Sequence, residues 1–456
     1  MSAPPRKPRP PLPEGPFLVV GLARSGSAVA RAIAARGEQV LGCDSGNPEE
    51  AQGLDRVGVE VNLDVDGVEL LDRVACVVKS PGVPGEAPVI AAARERGAPV
   101  IGELELAWRM LPNRFVAVTG TNGKTTVTEL LGHIYGRAGL PAAVAGNVGR
   151  PLASLAGAAD PDATVACECS SFQLEDADAF APECAVFLNF APDHLDRHPT
   201  LEAYLEAKLR IFAHQGNDDV AVYPADEPAL AGRDLGGCAR RVAWCAGRGA
   251  DPDCELSLER GVIFWREKPL VRADQLRIPG EHNARNAMAA AAASLMMGVP
   301  ADAVREGLLT FEGLPHRLER VRELRGVTYV NDSKATNMTA AAAALRSFEG
   351  GVHAILGGSL KGESFERLVA PVSERCIACY LIGEAAESLA VALEPARGAD
   401  VELRRCGGME HAVRAAAKVA APGQVVLLAP ACASFDAYPD FEARGEHFRE
   451  IVESLR

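Results

Sequence analysis

Phe115-Val116-Ala117-Val118-Thr119-Gly120-Thr121-Asn122-Gly123-Lys124-Thr125-Thr126 decides the fold. The apolar run Phe115 to Val118 reads as a buried strand. The glycine-bearing segment reads as a loop, and the pattern that follows as a helix to about Gly136. In such a strand–loop–helix turn the backbone N–H groups can wrap phosphate oxygens, and the helix N-terminus adds partial positive charge. Lys124 would then reach the β- and γ-phosphates and Thr125 a Mg²⁺ ion, with Gly120, Thr121, Asn122, Gly123 and Thr126 completing the cradle. The spacing departs from the standard P-loop, because Val118 stands where its first glycine falls. The alternative is an ordinary glycine turn.

Outward from this segment, strands alternate with helices on both sides. Before it come strands Phe17 to Val20, Gln39 to Cys43 and Val74 to Val78, with helical pattern over Ser27 to Arg36. After it come strands Thr164 to Cys169, Cys184 to Asn189 and Val220 to Tyr223, and a helix over Leu201 to His214. Short strands with turns fill Ala239 to Ile278. An Ala-rich helix over Asn283 to Met297 and a Gly313-Leu314-Pro315 hinge close the unit. A third series follows, with strands Val327 to Val330, Ala354 to Leu356, Ile377 to Ile382 and Val425 to Leu428. Such alternation implies doubly wound, mostly parallel sheets. The expectation is an α/β chain of three domains: Rossmann-like over 17–111, P-loop-type over 112–314 and Rossmann-like over 315–456. Residues 1–16, rich in Pro, Arg and Lys and lacking an apolar core segment, read as a disordered tail rather than a signal peptide.

Polar clusters gather after several of these strands, where ligands of open parallel sheets bind. Glu168-Cys169-Ser170-Ser171-Phe172-Gln173 ends one strand. Glu168 either holds Mg²⁺, a hard cation that prefers oxygen, or is merely solvated. Asn189 to His198 follows another, with His194 as a metal or substrate contact. Lys208 lies on the apolar stripe of Leu201, Tyr204, Leu205, Leu209, Ile211 and Phe212. Either its stem snorkels to water or it is a modified or metal-facing lysine. Gly21-Leu22-Ala23-Arg24-Ser25-Gly26, with Asp44 ending the next strand, approximates a dinucleotide turn, although Ala23 replaces the glycine that permits closest approach. A nucleotide-type ligand and an empty structural turn are both compatible with it. Asn331 to Asn337, Gly357 to Gly362 and Pro430 to Asp436 follow three strands of the last domain and suggest one shared face.

The formal net charge of −14 disfavours a nucleic-acid partner, and no apolar stretch is long enough to span a membrane. Twelve cysteines show no disulfide spacing and read as reduced, mostly buried thiols.

Taken in order, Gly120 to Thr126, Ser170 to Leu174, Asp193 to His198, Gly313 to Glu319, Asn331 to Asn337 and Pro430 to Asp436 resemble the Mur ligases of peptidoglycan synthesis. The resemblance covers essentially the whole chain after the tail. It implies an ATP-dependent ligase that adds D-glutamate to UDP-N-acetylmuramoyl-L-alanine through an acyl phosphate. It further implies two Mg²⁺ ions served by Thr125, Glu168, His194 and a carbamylated Lys208, with Lys124, His194 and Lys208 as the catalytic groups. Arg24, Ser25, Asp44, Gly82, Asn147, Ser170 and Gln173 match contacts to the UDP-sugar carboxylate. Asn283, Asn286, Arg317, Asp332 and Lys334 match nucleotide contacts. Thr336, Lys361, Ser434, Phe435 and Phe441 match the amino-acid pocket. A cytoplasmic monomer without membrane insertion is the implied setting. Rival readings are another Mur ligase or a folyl-polyglutamate synthetase, a nucleotide-switched binding protein, and, from the first-domain turn alone, an NAD-dependent dehydrogenase.

Overall fold

The computed structural model describes residues 3–193, 197–246, 254–278, 280–360 and 364–456. Two expected site residues, His194 and Lys361, lie outside the described residues. The chain divides into two compact units, Met1–Ala273 with Arg285–Leu309, and Asp274–Ala284 with Thr310–Arg456.

The first unit holds two sheets. One contains β1 (Phe17–Val20), β2 (Val40–Asp44), β3 (Val59–Leu63), β4 (Cys76–Lys79) and β5 (Val100–Gly102), in the order β3-β2-β1-β4-β5 with every pair parallel. The other contains β6 (Arg114–Thr119), β7 (Ala142–Gly146), β8 (Thr164–Glu168), β9 (Cys184–Phe187), β10 (Val220–Pro224), β11 (Arg240–Ala246), β12 (Leu256–Glu259), β13 (Val262–Trp265) and β14 (Lys268–Arg272). Its order is β14-β13-β12-β11-β10-β9-β6-β8-β7, and only the β12–β13–β14 ribbon is antiparallel. The strand β6 therefore lies between β8 and β9, which come later in the chain. That reversal is the switch point at which an α/β sheet opens a crevice beyond its strand ends.

The first two sheets share one hydrophobic core. Leu104, Leu106, Trp108 and Leu111, from the helix Glu103–Met110 and its exit, join Phe17, Val19 and Val29 on one side and Leu152, Leu155 and Phe180 on the other. The expected boundary at 111/112 thus falls inside packed apolar surface.

The N-terminal tail differs from its expected disorder. Arg6 pairs with Asp162 and Lys7 with Asp219, each at 2.7 Å. Arg9 is buried against Glu183 at 3.1 Å, with its guanidinium 4.6 Å above the Trp108 ring and 5.5 Å from that of Phe115. Arg114 and Arg109 donate to the carbonyls of Pro4 and Pro11, and Leu12 packs on the shared core. Three cations meeting three carboxylates, on a proline-stiffened extended backbone, offset the entropy that composition alone assigned to disorder.

The second unit contains β15 (Glu319–Leu324), β16 (Val327–Asn331), β17 (Val352–Gly357), β18 (Cys376–Ile382), β19 (Glu402–Gly407) and β20 (Val425–Leu428), in the order β15-β16-β20-β17-β18-β19. Only the β15–β16 pair is antiparallel. Apolar clusters fill both faces of this sheet. The helix expected over Leu201 to His214 ends at Leu209. Among the described residues every cysteine is free.

Candidate active site

The loop after β6 is shaped by its glycines. Gly120 (φ +147°) and Gly123 (φ +87°) occupy backbone conformations that L side chains rarely adopt. A Cβ at Gly123 would fall 2.3 Å from Asn286 Oδ1, so the glycine admits the close approach of the helix Glu281–Met296. The loop is braced from β9: Thr121 N–H donates to the Asn189 carbonyl at 3.0 Å and Asn122 N–H to Asn189 Oδ1 at 2.9 Å. The Asn189 amide returns a bond to the Asn122 carbonyl at 3.0 Å. Asn189 opens the polar segment singled out after this strand, although it was not itself given a site role. Lys124 Nζ lies over the loop, 2.9 Å from the carbonyls of both Gly120 and Thr121. Thr125 and Thr126 open the helix Lys124–Arg137.

Two further groups converge on this switch point. Glu168 ends β8, buried, with Oε1 accepting from Asn147 Nδ2 at 3.0 Å. Its Oε2 is buried with no hydrogen-bond partner, which excludes the solvated reading and fits a cation ligand. Lys208 is 1% exposed, so it does not snorkel; its Nζ donates to the Gly120 carbonyl at 2.8 Å and lies 4.4 Å from the Tyr204 ring. Burial, reinforced by nearby Lys124, pushes its pKa well below the usual lysine value and favours the neutral amine. Among the described residues no three His, Cys, Asp or Glu side chains form a metal cluster.

Of the expected substrate contacts in this unit, several have structural duties. Asp44 accepts from Leu22 N–H at 2.7 Å and Gly46 N–H at 2.9 Å, bracing the turn that carries Arg24 and Ser25. Arg24 donates to the Gly149 carbonyl. Ser170 caps the helix Ser171–Leu174 in a reciprocal capping box with Gln173. The Gln173 amide also donates to buried Glu103 at 3.4 Å, whose carboxyl burial raises to a pKa of about 7. Gln173 is thus engaged on both ends of its amide. Gly82 is exposed, its carbonyl facing Arg197.

In the second unit three loops follow β16, β17 and β20, which are adjacent strands. Asp332 is buried and its pKa raised to about 7 by that burial, against the pull of Leu318 N–H and Arg317. The Lys334 ammonium lies 3.6 Å from the Phe441 ring centroid. Arg444, which the motif reading missed, is 1% exposed and bonds Ser333 Oγ and the carbonyls of Ser333, Cys432 and Ala433, tying two of the loops together. Ser434 is buried, Phe435 is 74% exposed and Thr336 is half-buried. Asn283, buried, opens the helix Glu281–Met296.

A braced phosphate loop, a buried carboxylate oxygen without a partner and a desolvated lysine, all at one sheet's switch point, define a nucleotide-phosphate-binding α/β enzyme. Three domain families match the chain: the Mur ligase MurD-like N-terminal domain over residues 16–102, the Mur ligase middle domain over 118–294, and the Mur ligase glutamate ligase domain over 316–432. The chain belongs to the Mur ligase family. It is 41% identical over 454 residues to the UDP-N-acetylmuramoylalanine--D-glutamate ligase of Pelotomaculum thermopropionicum, covering 96% of this chain and 97% of the relative. It is 42% identical over 459 residues to the protein of the same name in Geobacter metallireducens, with coverage of 96% and 97%. Among solved structures, the UDP-N-acetylmuramate-alanine ligase of Thermotoga maritima matches with a TM-score of 0.59 at 18% identity, covering 97% of this chain and all of that one (100%). At that identity the likeness is one of fold.

Proposed function

We propose that this chain joins D-glutamate to the carboxylate of UDP-N-acetylmuramoyl-L-alanine, with ATP converted to ADP and phosphate, in peptidoglycan precursor synthesis. The observation that carries the reading is identity of about 40% with D-glutamate ligases along 95% of the chain. The braced phosphate loop supplies the chemistry it needs. Residues 17–111 bind the UDP-sugar, 112–314 the ATP phosphates, and 315–456 the amino acid and part of the nucleotide.

The substrate carboxylate attacks the γ-phosphorus and ADP leaves, giving an acyl phosphate. The amine of D-glutamate then attacks the acyl carbon, loses a proton, and phosphate departs as the amide forms. Lys124 and the N–H groups of the Gly120–Thr126 loop hold the transferring phosphoryl group and stabilise its charge. Glu168, Thr125, His194 and Lys208 would hold two Mg²⁺ ions, which when bound neutralise phosphoryl oxygens. Lys208 suits that role as a carbamate: its neutral amine adds to CO₂, an N–C bond forms, and the nitrogen's proton passes to solvent. The anionic oxygens so gained would be cation ligands beside Glu168, their charges offset only with Mg²⁺ bound between them. Arg24, Ser25, Asp44, Gly82, Asn147, Ser170 and Gln173 line or shape the UDP-sugar side. Asn283, Asn286, Arg317, Asp332 and Lys334 serve the nucleotide, and Thr336, Lys361, Ser434, Phe435 and Phe441 the amino acid. A cytoplasmic, monomeric enzyme belongs to the same proposal; among the described residues no helix is long and apolar enough to cross a membrane.

The test is phosphate release with ATP, Mg²⁺ and the UDP-sugar, offering D-glutamate, L-glutamate, diaminopimelate and L-alanine in parallel. Turnover with D-glutamate alone is expected, with Lys124→Ala lowering kcat roughly 10²–10³-fold. Equal turnover with L-glutamate, or preference for another amine, would place the chain in another branch of the family. Full-rate hydrolysis without any amine would remove the ligase reading altogether.

A further inference from the structure

One side chain of the Asp193–His198 segment has no role in the reaction just described, yet it sits at the centre of a continuous column. His198 is 4% exposed and its Nε2 lies 2.9 Å from Ser171 Oγ. Its ring stacks on Phe172 at 5.4 Å with 14° between planes and meets Tyr204 at 5.1 Å with 40° between planes. The column continues in both directions. The Arg197 guanidinium lies 5.1 Å from the Phe172 ring and donates to the carbonyls of Val83 at 3.0 Å and Gly82 at 3.5 Å, in the turn after β4. At the far end the Tyr204 hydroxyl is 3.5 Å from Thr121 Oγ1 in the phosphate loop, and the Tyr204 ring faces Lys208. Phe190 packs 5.3 Å from Tyr204 and closes the column against the segment after β9.

The geometry points to His198 as a positioning residue for the ligation. Its ring is the shared spacer between the turn on the UDP-sugar side and the loop that cradles the ATP phosphates. Its bond to Ser171 anchors the column to the helix that starts three residues beyond Glu168. Closely packed rings resist compression, so this run of ring contacts holds its two ends at a set separation. Removing the middle ring lets the two ends relax independently, and reacting atoms misplaced by about 1 Å cost on the order of 10²-fold in rate.

The inference rests on the ligase reading, and its test separates the two. Three variants are compared with the wild-type full chain: His198→Ala removes ring and bond, His198→Phe keeps the ring, and Ser171→Ala removes the bond from the other side. We expect His198→Ala to lose about 100-fold in kcat and to raise KM for the UDP-sugar while KM for D-glutamate stays within about twofold. His198→Phe and Ser171→Ala should each show a smaller and equal loss, and the double variant should be no worse than either single one, because both delete the same bond. Calorimetric titration of the UDP-sugar and of ATP·Mg²⁺ reports binding without turnover, and melting temperature reports folding. A lower melting temperature with unchanged kcat and KM would reduce His198 to a packing residue and overturn the inference. So would additive losses in the double variant, or KM for D-glutamate rising as much as KM for the UDP-sugar. A wild-type chain inactive with these substrates would overturn the ligase reading, and this inference with it.

Discussion

Replacing Arg9 by alanine should destabilise the first unit far more than its place in a tail suggests. The side chain of Arg9 is 5% exposed and that of Glu183 is fully buried (0%). Glu183 also accepts from Phe115 N–H at 2.8 Å, so it is fixed in place and cannot turn to water when its cation is lost. Removing one member of a buried pair typically costs about 3–5 kcal/mol, because a desolvated charge is left uncompensated. The guanidinium over Trp108 adds about 0.5–2 kcal/mol on the scale of desolvated cation–π contacts. The closest contact, 3.1 Å between Nη1 and Oε1, is an ion contact without hydrogen-bond alignment, and the aligned bond from Nη2 is 3.4 Å. The lower end of the range is therefore expected, roughly 3 kcal/mol. Guanidinium denaturation followed by circular dichroism, reading the first transition, measures it. The double variant Arg9→Met/Glu183→Gln should recover most of the loss, since neither charge remains to be desolvated. A shift below about 1 kcal/mol for Arg9→Ala, the range of exposed pairs, would refute the reasoning and favour the disordered reading of residues 1–16.

Two further outcomes follow from buried titratable groups. Lys208→Ala should be nearly inactive, and a short added carboxylic acid should restore part of the activity by supplying oxygens where the carbamate would stand; no rescue at any concentration would speak against a modified lysine. Glu103→Gln should change the pH dependence of stability. Burial raises the folded-state pKa of Glu103 from 4.5 to about 7, so its contribution is fully present below pH 4.5 and lost as pH rises to 7. At about 1.4 kcal/mol per unit, the wild type should lose up to roughly 3 kcal/mol relative to the variant across that window; parallel stability–pH curves for the two chains would refute the assignment.

The parts of the fold legible in the sequence were those with local signatures. The β6 loop declares itself through glycines and Lys-Thr at a helix start. Lys208 betrays itself by standing on an apolar stripe, and its burial excludes the snorkelling reading. Strands β3, β5, β7, β15 and β19 were missed, two of them for a plain physical reason. Val100–Gly102 is three residues long, and Ala-Ala-Val-Ala-Gly over Ala142–Gly146 carries no alternation that separates strand from helix. The bracing roles of Asn189, Arg444 and Glu103 were illegible because their partners are far away in the chain: Asn189 meets Asn122 across 67 residues, and Arg444 meets Ser333 across 111. The tail failed in the opposite sense. Its composition matches disorder, and only the placement of Asp162, Asp219 and Glu183 along one surface gives its cations somewhere to go.

The same distinction explains how the first two sheets come to share one unit. Beside their apolar core, the contacts between them include buried polar pairs. Lys79, at the end of β4, is buried and pairs with Asp176 at 2.7 Å. Glu105 is buried and accepts from Asp178 N–H and Ala179 N–H while pairing with Arg109. Gly102 brings the two backbones together, since a Cβ there would fall 2.7 Å from that of Asp176. Apolar residues of similar volume would hold such a seam at least as strongly, because desolvation offsets much of the Coulomb attraction. What directional pairs add is one relative orientation, since a sliding seam would leave several charges buried and unpaired at once. In the proposed reaction, with the carboxylate presented from one sheet and the phosphates held on the other, orientation is the quantity that matters, and the buried ions sit where they fix it.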